Sequence, residues 1–249
     1  MKSFYKALAC PKSRAGFSVI FNSAINICKC HYEHFKNDDV LILNDEVNEL
    51  FETKKILNPS EFNFDIEAFY NESEYQNPSN AHVVCENDLV KEKNKIFNMF
   101  FKLKNIEEYI IEKNNFIDDN TLSIHLRGTD KPSEMYPPTL ESICQKIDRM
   151  INLFPNINSI FLATDDIYYQ NFLISRYGNM VKYRTQKKIS LDGRPLHFIE
   201  NRSSINKELM IDVYLLSQSK YFLYCFSNVS YFALTMGIDN FVEINCLNN

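Results

Sequence analysis

The second half of this chain alternates short apolar runs with amphipathic stretches of helical periodicity. Leu122–Leu126, Ser159–Ala163 and Tyr221–Phe226 have the length and composition of strands. Helical patterns of about 10–15 residues separate them, the spacing expected of βαβ units. Parallel strands need such crossover helices, and strands covered on both faces are apolar along their whole length. The pattern therefore predicts an α/β fold with a parallel sheet.

The same periodicities predict the remaining elements of this half. Further helices are predicted over Thr139–Phe154, over Ile167–Tyr177 with Gly178 at its end, over Lys207–Gln218, and from Ser227 to Met236. Short strands are predicted at Met180–Tyr183 and Phe241–Ile244, and a polar loop fills residues 184–206.

The first half is less regular. A glycine turn at Gly16 is expected to open a helix near Ser18, and Asp39–Leu43 has the character of a strand. A broad apolar face predicts one continuous helix from Val90 to Lys113. The polar break at Ile117–Asn120 then divides the chain into an N-terminal domain, 1–118, and a C-terminal domain, 119–249.

Composition narrows the classes of function. The chain has 249 residues and a formal net charge of −5, so a broad polyanion-binding surface is not expected and nucleic acid is excluded as a partner. The sequence has no apolar stretch long enough to span a membrane, and its first residues lack the apolar segment of a signal peptide, so none is expected. Its seven cysteines are odd in number and mostly scattered, which favours reduced thiols in the cytoplasm over a zinc or disulfide framework.

Polar residues cluster where three predicted strands end. After the first strand come His125, Arg127, Asp130 and Lys131. Ser123, His125 and Arg127 alternate along that strand, so they share one face, and such a polar stripe is expected to face a cleft. The planar guanidinium of Arg127 suits a pyrophosphate, and the alternative is a surface pair with Asp130.

Two further clusters carry alternatives of their own. Asp165 and Asp166 repel one another unless something is bound there, although one of them could cap the next helix. Two aspartates without a nearby third ligand are a weak signal for a metal site. Ser227 and Asn228 precede a helix whose N-terminus would suit a phosphate, and an ordinary N-cap is the alternative.

Two features lie outside the strand ends. Asp212 falls among apolar helix residues and needs a partner: a purine edge, a core salt bridge or solvent at an exposed helix face. The basic residues of the next segment are best interpreted as a solvated loop, with an acidic acceptor or a membrane surface as the alternative. They are Lys182, Arg184, Lys187, Lys188 and Arg194.

Three sequence blocks taken in order resemble a known family. IHLRGTDK at 124–131, FLATDD at 161–166 and IDVYLLSQSKYFLYCFSN at 211–228 are similar to the motifs of the fucosyltransferase superfamily. The likeness is to the members built like core α1,6-fucosyltransferase and NodZ, which are related to the α1,2- and protein O-fucosyltransferases. The resemblance covers residues 122–236, about half of the chain.

This resemblance implies a GT-B-like fold of two Rossmann-like domains with parallel sheets. The N-terminal domain, 1–118, would be minimal and lie on the acceptor side, and the C-terminal domain, 119–249, would bind the nucleotide sugar. It implies an inverting glycosyltransferase that needs no metal and no cofactor beyond its donor substrate, GDP-fucose. The acceptor would be a glycan or a lipid-linked oligosaccharide of a bacterial surface polysaccharide. The enzyme would lie in the cytoplasm, with peripheral contact at the inner face of the cell membrane left open.

The resemblance also assigns roles to residues. Arg127 would bind the pyrophosphate, His125 would lie beside the guanine or ribose, and Asp212 would read the guanine edge. Ser227 and Asn228 would hold phosphate, Asp165 and Asp166 would shape the nucleotide-sugar site, and Gly16 would belong to an N-terminal donor-side loop. Asp130, Lys131 and Glu134 would lie near the sugar and the acceptor, with Glu134 as catalytic base and Asp130 as the next choice.

Two departures from the family pattern leave alternatives open. Many relatives carry a second arginine after the first, and this chain has Gly128 there. Together with the unusual loop at 131–136, this keeps another GDP-sugar open as donor, such as a GDP-deoxyheptose or GDP-mannose. The N-terminal half is also short. A non-catalytic sugar-nucleotide-binding protein of the same fold is the alternative from a different functional class.

Overall fold

A computed structural model describes residue 25 and residues 45–53, 87–128, 137–185, 189–191 and 202–248. The chain divides into two units, Met1–Ile106 and Glu107–Asn249. The sequence-based division after residue 118 differs from this one by the helix that follows Ile106, and the roles given to the two domains stay predictions. The expected glycine turn at Gly16 and the strand Asp39–Leu43 lie outside the described residues.

The described part of the first unit contains two short helices, α1 (Asp45–Leu50) and α2 (Asn87–Phe100), and two strands, β1 (Phe51–Thr53) and β2 (Phe101–Leu103). The strands pair antiparallel with Phe51 opposite Leu103. Phe51 packs edge-on against Phe97 and Phe101, with ring centroids 6.0 Å apart in both contacts. Three aromatic rings therefore pack together within the buried part of this segment.

The continuous helix predicted from Val90 to Lys113 is wrong. Phe101–Leu103 forms β2, and a new helix, α3 (Ile106–Phe116), starts three residues later. Phe101 and Leu103 are buried while Lys102 between them is exposed, which is the two-residue period of a strand. Asn105 has a positive φ of 51° and makes the turn between β2 and α3. Apolar residues on both sides of this break keep a helical spacing, so periodicity alone does not show that the helix is interrupted.

The second unit follows the predicted alternation. Its elements after α3 are β3 (Thr121–Leu126), α4 (Leu140–Leu153), β4 (Ser159–Thr164), α5 (Ile167–Tyr177), β5 (Val181–Lys182), α6 (Arg202–Ser217), β6 (Tyr221–Tyr224), α7 (Asn228–Gly237) and β7 (Glu243–Cys246). A 3₁₀ turn, Gly178–Met180, connects α5 to β5. The main difference is α6, which begins five residues before the predicted Lys207 because its first turn is polar and carries no apolar period.

The five strands form one parallel sheet in the order β5-β4-β3-β6-β7. Ile124 at the centre of β3 lies opposite Leu162 of β4 and Leu223 of β6. Along the chain, β4 and β5 are added in turn on one side of β3, and β6 and β7 are then added on its other side. The strand order thus reverses between β3 and β6, and open α/β sheets bind ligands in the crevice at such a point.

Helices cover both faces of this sheet. On one face Leu122, Ile124 and Leu126 pack with α4 and α5 in a single buried cluster. On the opposite face α6 packs on β3 and β4, and Phe116 of α3 packs against Phe161 with ring centroids 5.7 Å apart. Every residue of β3 and β4 is buried as a result. This confirms the α/β sheet predicted from the continuous apolar runs.

In the part of the chain that the structure describes, the second unit contains three buried cysteines. Cys144, Cys225 and Cys246 are buried thiols that form no disulfide. Among the described residues, no helix combines the length and the apolarity needed to cross a membrane.

Gly237, at the end of α7, lies against the backbone of α6. A Cβ added there would stand 2.7 Å from Ser217 Cα, so an Ala at 237 must push the ends of the two helices apart. We expect Gly237→Ala to lower the free energy of unfolding by about 1–3 kcal/mol, the usual cost of overpacking. Thermal and urea unfolding measure it. Asn171→Ala, on the exposed surface of α5, is the control and is expected to change stability by less than about 0.5 kcal/mol.

Candidate functional site

The three polar clusters predicted at strand ends meet at one edge of the sheet. β3 lies between β4 and β6, and the strands are parallel, so their carboxyl ends share that edge. Helices α5 and α7 begin directly after β4 and β6. The positive end of each helix dipole therefore lies beside the same residues.

An ion pair between Arg127 and Asp165 forms the centre of this edge. The guanidinium Nη1 bonds to Asp165 Oδ2, and Asp165 Oδ1 accepts a hydrogen bond from the Gly128 amide at 2.9 Å. The Asp165 side chain is 9% exposed, and that of Arg127 is 21% exposed. The alternative pair with Asp130 involves a residue outside the described part of the chain. The guanidinium of Arg127 is therefore partly accessible, and the buried carboxylate of Asp165 fixes its position.

Gly128 allows Asp166 to approach the end of β3. A Cβ added to Gly128 would stand 2.8 Å from Asp166 Cγ and closer still to its Cβ and Oδ2. Asp166 also caps α5, because its Oδ1 accepts a hydrogen bond from the Tyr168 amide at 2.8 Å. The capping alternative therefore holds for Asp166. The position at which the resembling family often has a second arginine is closed to any side chain here.

His125 lies in a buried cluster of hydroxyl groups and a thiol. Its Nδ1 is 2.6 Å from Ser230 Oγ, 3.3 Å from Ser227 Oγ and 3.8 Å from Cys225 Sγ. The residue is 5% exposed, and Ser123 on the same face is fully buried. The expectation that the stripe faces a cleft is wrong for these two residues, because helices cover that face of the sheet. Of the stripe, Arg127 alone is partly exposed.

Ser227 stands at the start of α7 as its N-cap. Its hydroxyl accepts a hydrogen bond from the Ser230 amide at 3.1 Å, and its backbone is extended. Asn248, after the neighbouring strand β7, accepts a hydrogen bond from the Phe226 amide at 2.8 Å. These bonds fix where the helix begins. Ser227 thus has the ordinary capping role that the sequence left open, and phosphate binding by Ser227 and Asn228 stays a prediction.

Sequence reasoning missed two partners in this cluster. Cys225 accepts a hydrogen bond from the Arg127 amide at 3.1 Å, so its thiol ties the end of β6 to the end of β3. Ser230 is the near partner of His125. Its spacing of three residues from the N-cap was a usable signal, since that residue turns back toward the cap. Nothing in the sequence marked Cys225, because sulfur is a weak acceptor and the contact spans the sheet.

Asp212 forms a buried ion pair on α6. Its Oδ1 accepts a hydrogen bond from Arg184 Nη1 at 3.2 Å, and the two side chains are 4% and 6% exposed. Arg184 also donates to the Glu208 carbonyl at 3.1 Å and lies 3.6 Å from Glu112. The salt-bridge alternative for Asp212 therefore matches the structure. The interpretation of Arg184 as part of a solvated loop is wrong, and a guanine-reading role for Asp212 stays a prediction.

Tyr169, on α5, contributes an uncharged side chain to this region. Burial raises the pKa of its phenol to about 12, with Cys225, Asp166 and Asp165 adding smaller increases. The hydroxyl therefore stays protonated at physiological pH.

Four predicted site residues lie outside the described part of the chain: Gly16, Asp130, Lys131 and Glu134. Of Lys187, Lys188 and Arg194 in the basic segment, the structure likewise describes none. Within the described ranges, no group of three or more His, Cys, Asp and Glu side chains could hold a metal ion. The prediction of a metal-independent site remains untested.

The fold is of the GT-B type. Solved structures of NodZ have the same fold along nearly the whole chain. NodZ alpha-1,6-fucosyltransferase soaked with GDP-fucose superimposes with a TM-score of 0.60 at 13% identity, covering 95% of this chain and 93% of NodZ. The form co-crystallized with GDP gives 0.58 at 14% identity, with coverage of 95% and 92%. NodZ from Bradyrhizobium gives 0.60 at 12% identity, with coverage of 95% and 92%.

Sequence comparison gives no such likeness: no protein-family model matches the chain, and no curated protein does. The likeness to NodZ is one of fold, and it confirms the expected architecture. The function must be argued from the residues at the edge of the sheet.

The buried pair of Asp212 and Arg184 allows a test of its role in stability. We expect Asp212→Ala to destabilise the protein by about 3 kcal/mol, the lower end of the usual cost of breaking a buried ion pair. The variant removes the nearer carboxylate of Arg184, and Glu112 stays 3.6 Å away. The double variant Asp212→Leu with Arg184→Met should recover much of that loss, because it removes both charges. Urea unfolding measures both. A double variant no more stable than Asp212→Ala would contradict this account.

Proposed function

We propose that this protein is a glycosyltransferase that moves fucose from GDP-fucose to a hydroxyl group of a glycan. The observation that carries the proposal is the position of Arg127, partly exposed at the carboxyl edge of a GT-B-type sheet and beside the N-terminus of α7. Support comes from the fold of NodZ, which has been crystallised with GDP-fucose and with GDP. The three motif blocks also converge on this edge.

The diphosphate of the donor would lie between Arg127 and the first amides of α7. A planar guanidinium makes bidentate, charge-assisted bonds to phosphate oxygens, and a helix N-terminus adds unpaired amides and a favourable dipole. Both lie at the switch point between β3 and β6, where this class of sheet binds nucleotides. Ser227 and Asn228 would contribute to the phosphate site, and His125 and Asp212 would lie toward the nucleoside.

The proposed reaction is a single displacement with inversion. The acceptor oxygen attacks the anomeric carbon and forms the new glycosidic bond. The bond from that carbon to the phosphate oxygen breaks, and GDP leaves with the electron pair. Glu134, or else Asp130, takes the hydroxyl proton. Arg127 offsets the negative charge that grows on the departing diphosphate, and this electrostatic role replaces a metal ion in the proposal.

The acceptor side of the proposal rests on the sequence alone. A glycan or lipid-linked oligosaccharide of a bacterial surface polysaccharide would be the acceptor. Transfer would take place in the cytoplasm or at the inner face of the cell membrane, where such acceptors are assembled.

Calorimetric titration of GDP and GDP-fucose in the presence of EDTA tests the donor site. We expect wild-type protein to bind both. Arg127→Ala should weaken binding about 10-fold or more, since hydrogen bonds to charged groups contribute about 1.5–3 kcal/mol. Arg149→Ala, which removes an exposed arginine on α4, is the matched control and should bind like wild type.

Two results would reject the proposal. One is the absence of binding of any guanine nucleotide to folded wild-type protein. The other is an equal affinity in Arg127→Ala and wild type, which would place the diphosphate elsewhere. Loss of binding on adding EDTA would reject metal independence alone.

A second candidate keeps the chemistry and changes the sugar. The observation that favours it is the close approach of Asp166 to Gly128, which leaves one arginine at a position where many relatives have two. A GDP-deoxyheptose or GDP-mannose would then be the donor. GDP release measured across a panel of GDP-sugars decides: faster release from one of these than from GDP-fucose supports the second candidate. Binding without release from any donor supports a non-catalytic protein.

A further inference from the structure

The end of β3 is anchored at three points around Arg127. The guanidinium bonds to Asp165 Oδ2, and the Gly128 amide donates to Asp165 Oδ1 at 2.9 Å. The Arg127 amide donates to Cys225 Sγ at 3.1 Å. One carboxylate therefore holds both the side chain of Arg127 and the backbone directly after it. On the other side of β3, Cys225 at the end of β6 holds the backbone amide of Arg127.

Asp165 is itself fixed by the sheet. Leu126 and Thr164 are the last paired residues of β3 and β4, so the next residues, Arg127 and Asp165, leave the sheet side by side. The Asp165 carbonyl accepts a hydrogen bond from the Ser190 amide at 2.9 Å, and Asp166 forms a parallel bridge with Ser190. The carboxylate therefore presents a fixed partner to the guanidinium.

Such anchoring matters for a cation that must act on a diphosphate. A free arginine side chain loses conformational entropy when it is held in one rotamer. If a protein partner already holds the side chain, ligand binding does not have to overcome that loss of entropy. A fixed guanidinium also needs no reorganisation when charge develops on the leaving group.

We propose that Asp165 is a positioning residue that orients Arg127 toward the donor diphosphate, rather than a ligand of the donor itself. This inference rests on the proposed function and deepens it. Both carboxylate oxygens bond to the Arg127–Gly128 segment, and the side chain is 9% exposed. Asp165 acts on the donor through the guanidinium that it holds.

A double-mutant cycle tests the inference. We expect Asp165→Asn, which is close in shape and uncharged, to weaken GDP binding about 10-fold, the lower end of the loss seen when partners that orient metal ligands are changed. In an Arg127→Ala background the same substitution should have no further effect, because Asp165 acts through Arg127. Asp148→Asn breaks an exposed Asp–Arg pair with Arg176 in the same unit and should bind like wild type.

Two binding results would overturn the inference. An equal loss from Asp165→Asn in both backgrounds would mean that Asp165 contacts the donor or acts through the fold alone. Tighter GDP binding by Asp165→Asn would mean that the carboxylate competes with the diphosphate for Arg127.

A readout without nucleotide separates this inference from the proposed function. Phenylglyoxal modifies guanidinium groups, and mass spectrometry of peptides gives the rate at each arginine. Arg127 should react severalfold faster in folded Asp165→Asn than in wild type, while Arg149 reacts equally in both. Equal Arg127 rates would overturn the positioning role even if GDP binds. Faster modification without any GDP binding would keep the anchor and reject the proposed function.

Discussion

The hydrogen bonding of β3 between β4 and β6 is the constraint on which the rest of the second unit depends. Residues 121–126 pair in register with β4 and residues 122–125 with β6, and all three strands run in the same direction. Their carboxyl ends therefore meet at one edge, where the order of the strands reverses. The contacts that define the candidate site follow from this register: Arg127 meets Asp165 on one side and Cys225 on the other. A shift of one residue would turn each of these groups to the other face of the sheet.

Burial divides the polar groups of this unit into two kinds. His125 with Ser230, and Asp212 with Arg184, lie away from solvent and satisfy one another. Such groups are costly to bury alone, so their pairing fixes how α6 and α7 pack. Arg127 differs because its side chain keeps an exposed part. A cation held in place at the edge of an otherwise apolar sheet is suited to an anionic ligand, and this is the physical basis of the proposed donor site.

Much of the fold of the second unit could be predicted because the spacing of apolar residues along the chain indicates its strands and helices. The apolar runs became β3, β4 and β6, and Ile167–Tyr177 is a helix with Gly178 at its end, as predicted. The errors have physical causes. The helix predicted across Phe101–Leu103 failed because the strand's apolar residues also fit a helical period, and pairing with β1 decided between the two. The early start of α6 was missed because its first turn is polar.

In the second unit, the sequence by itself determined the order of helices and strands and placed polar residues after three strands, because both depend on neighbours within a few positions. Tertiary structure decided the partners of those residues. Arg127 and Asp165 are 38 residues apart, and Arg184 and Asp212 are 28 apart, so only the order of strands and the packing of helices could join them. The same holds for Gly128, where the approach of Asp166 requires the absence of a side chain. Local patterns carry no information on such contacts, since each is set by how distant elements meet.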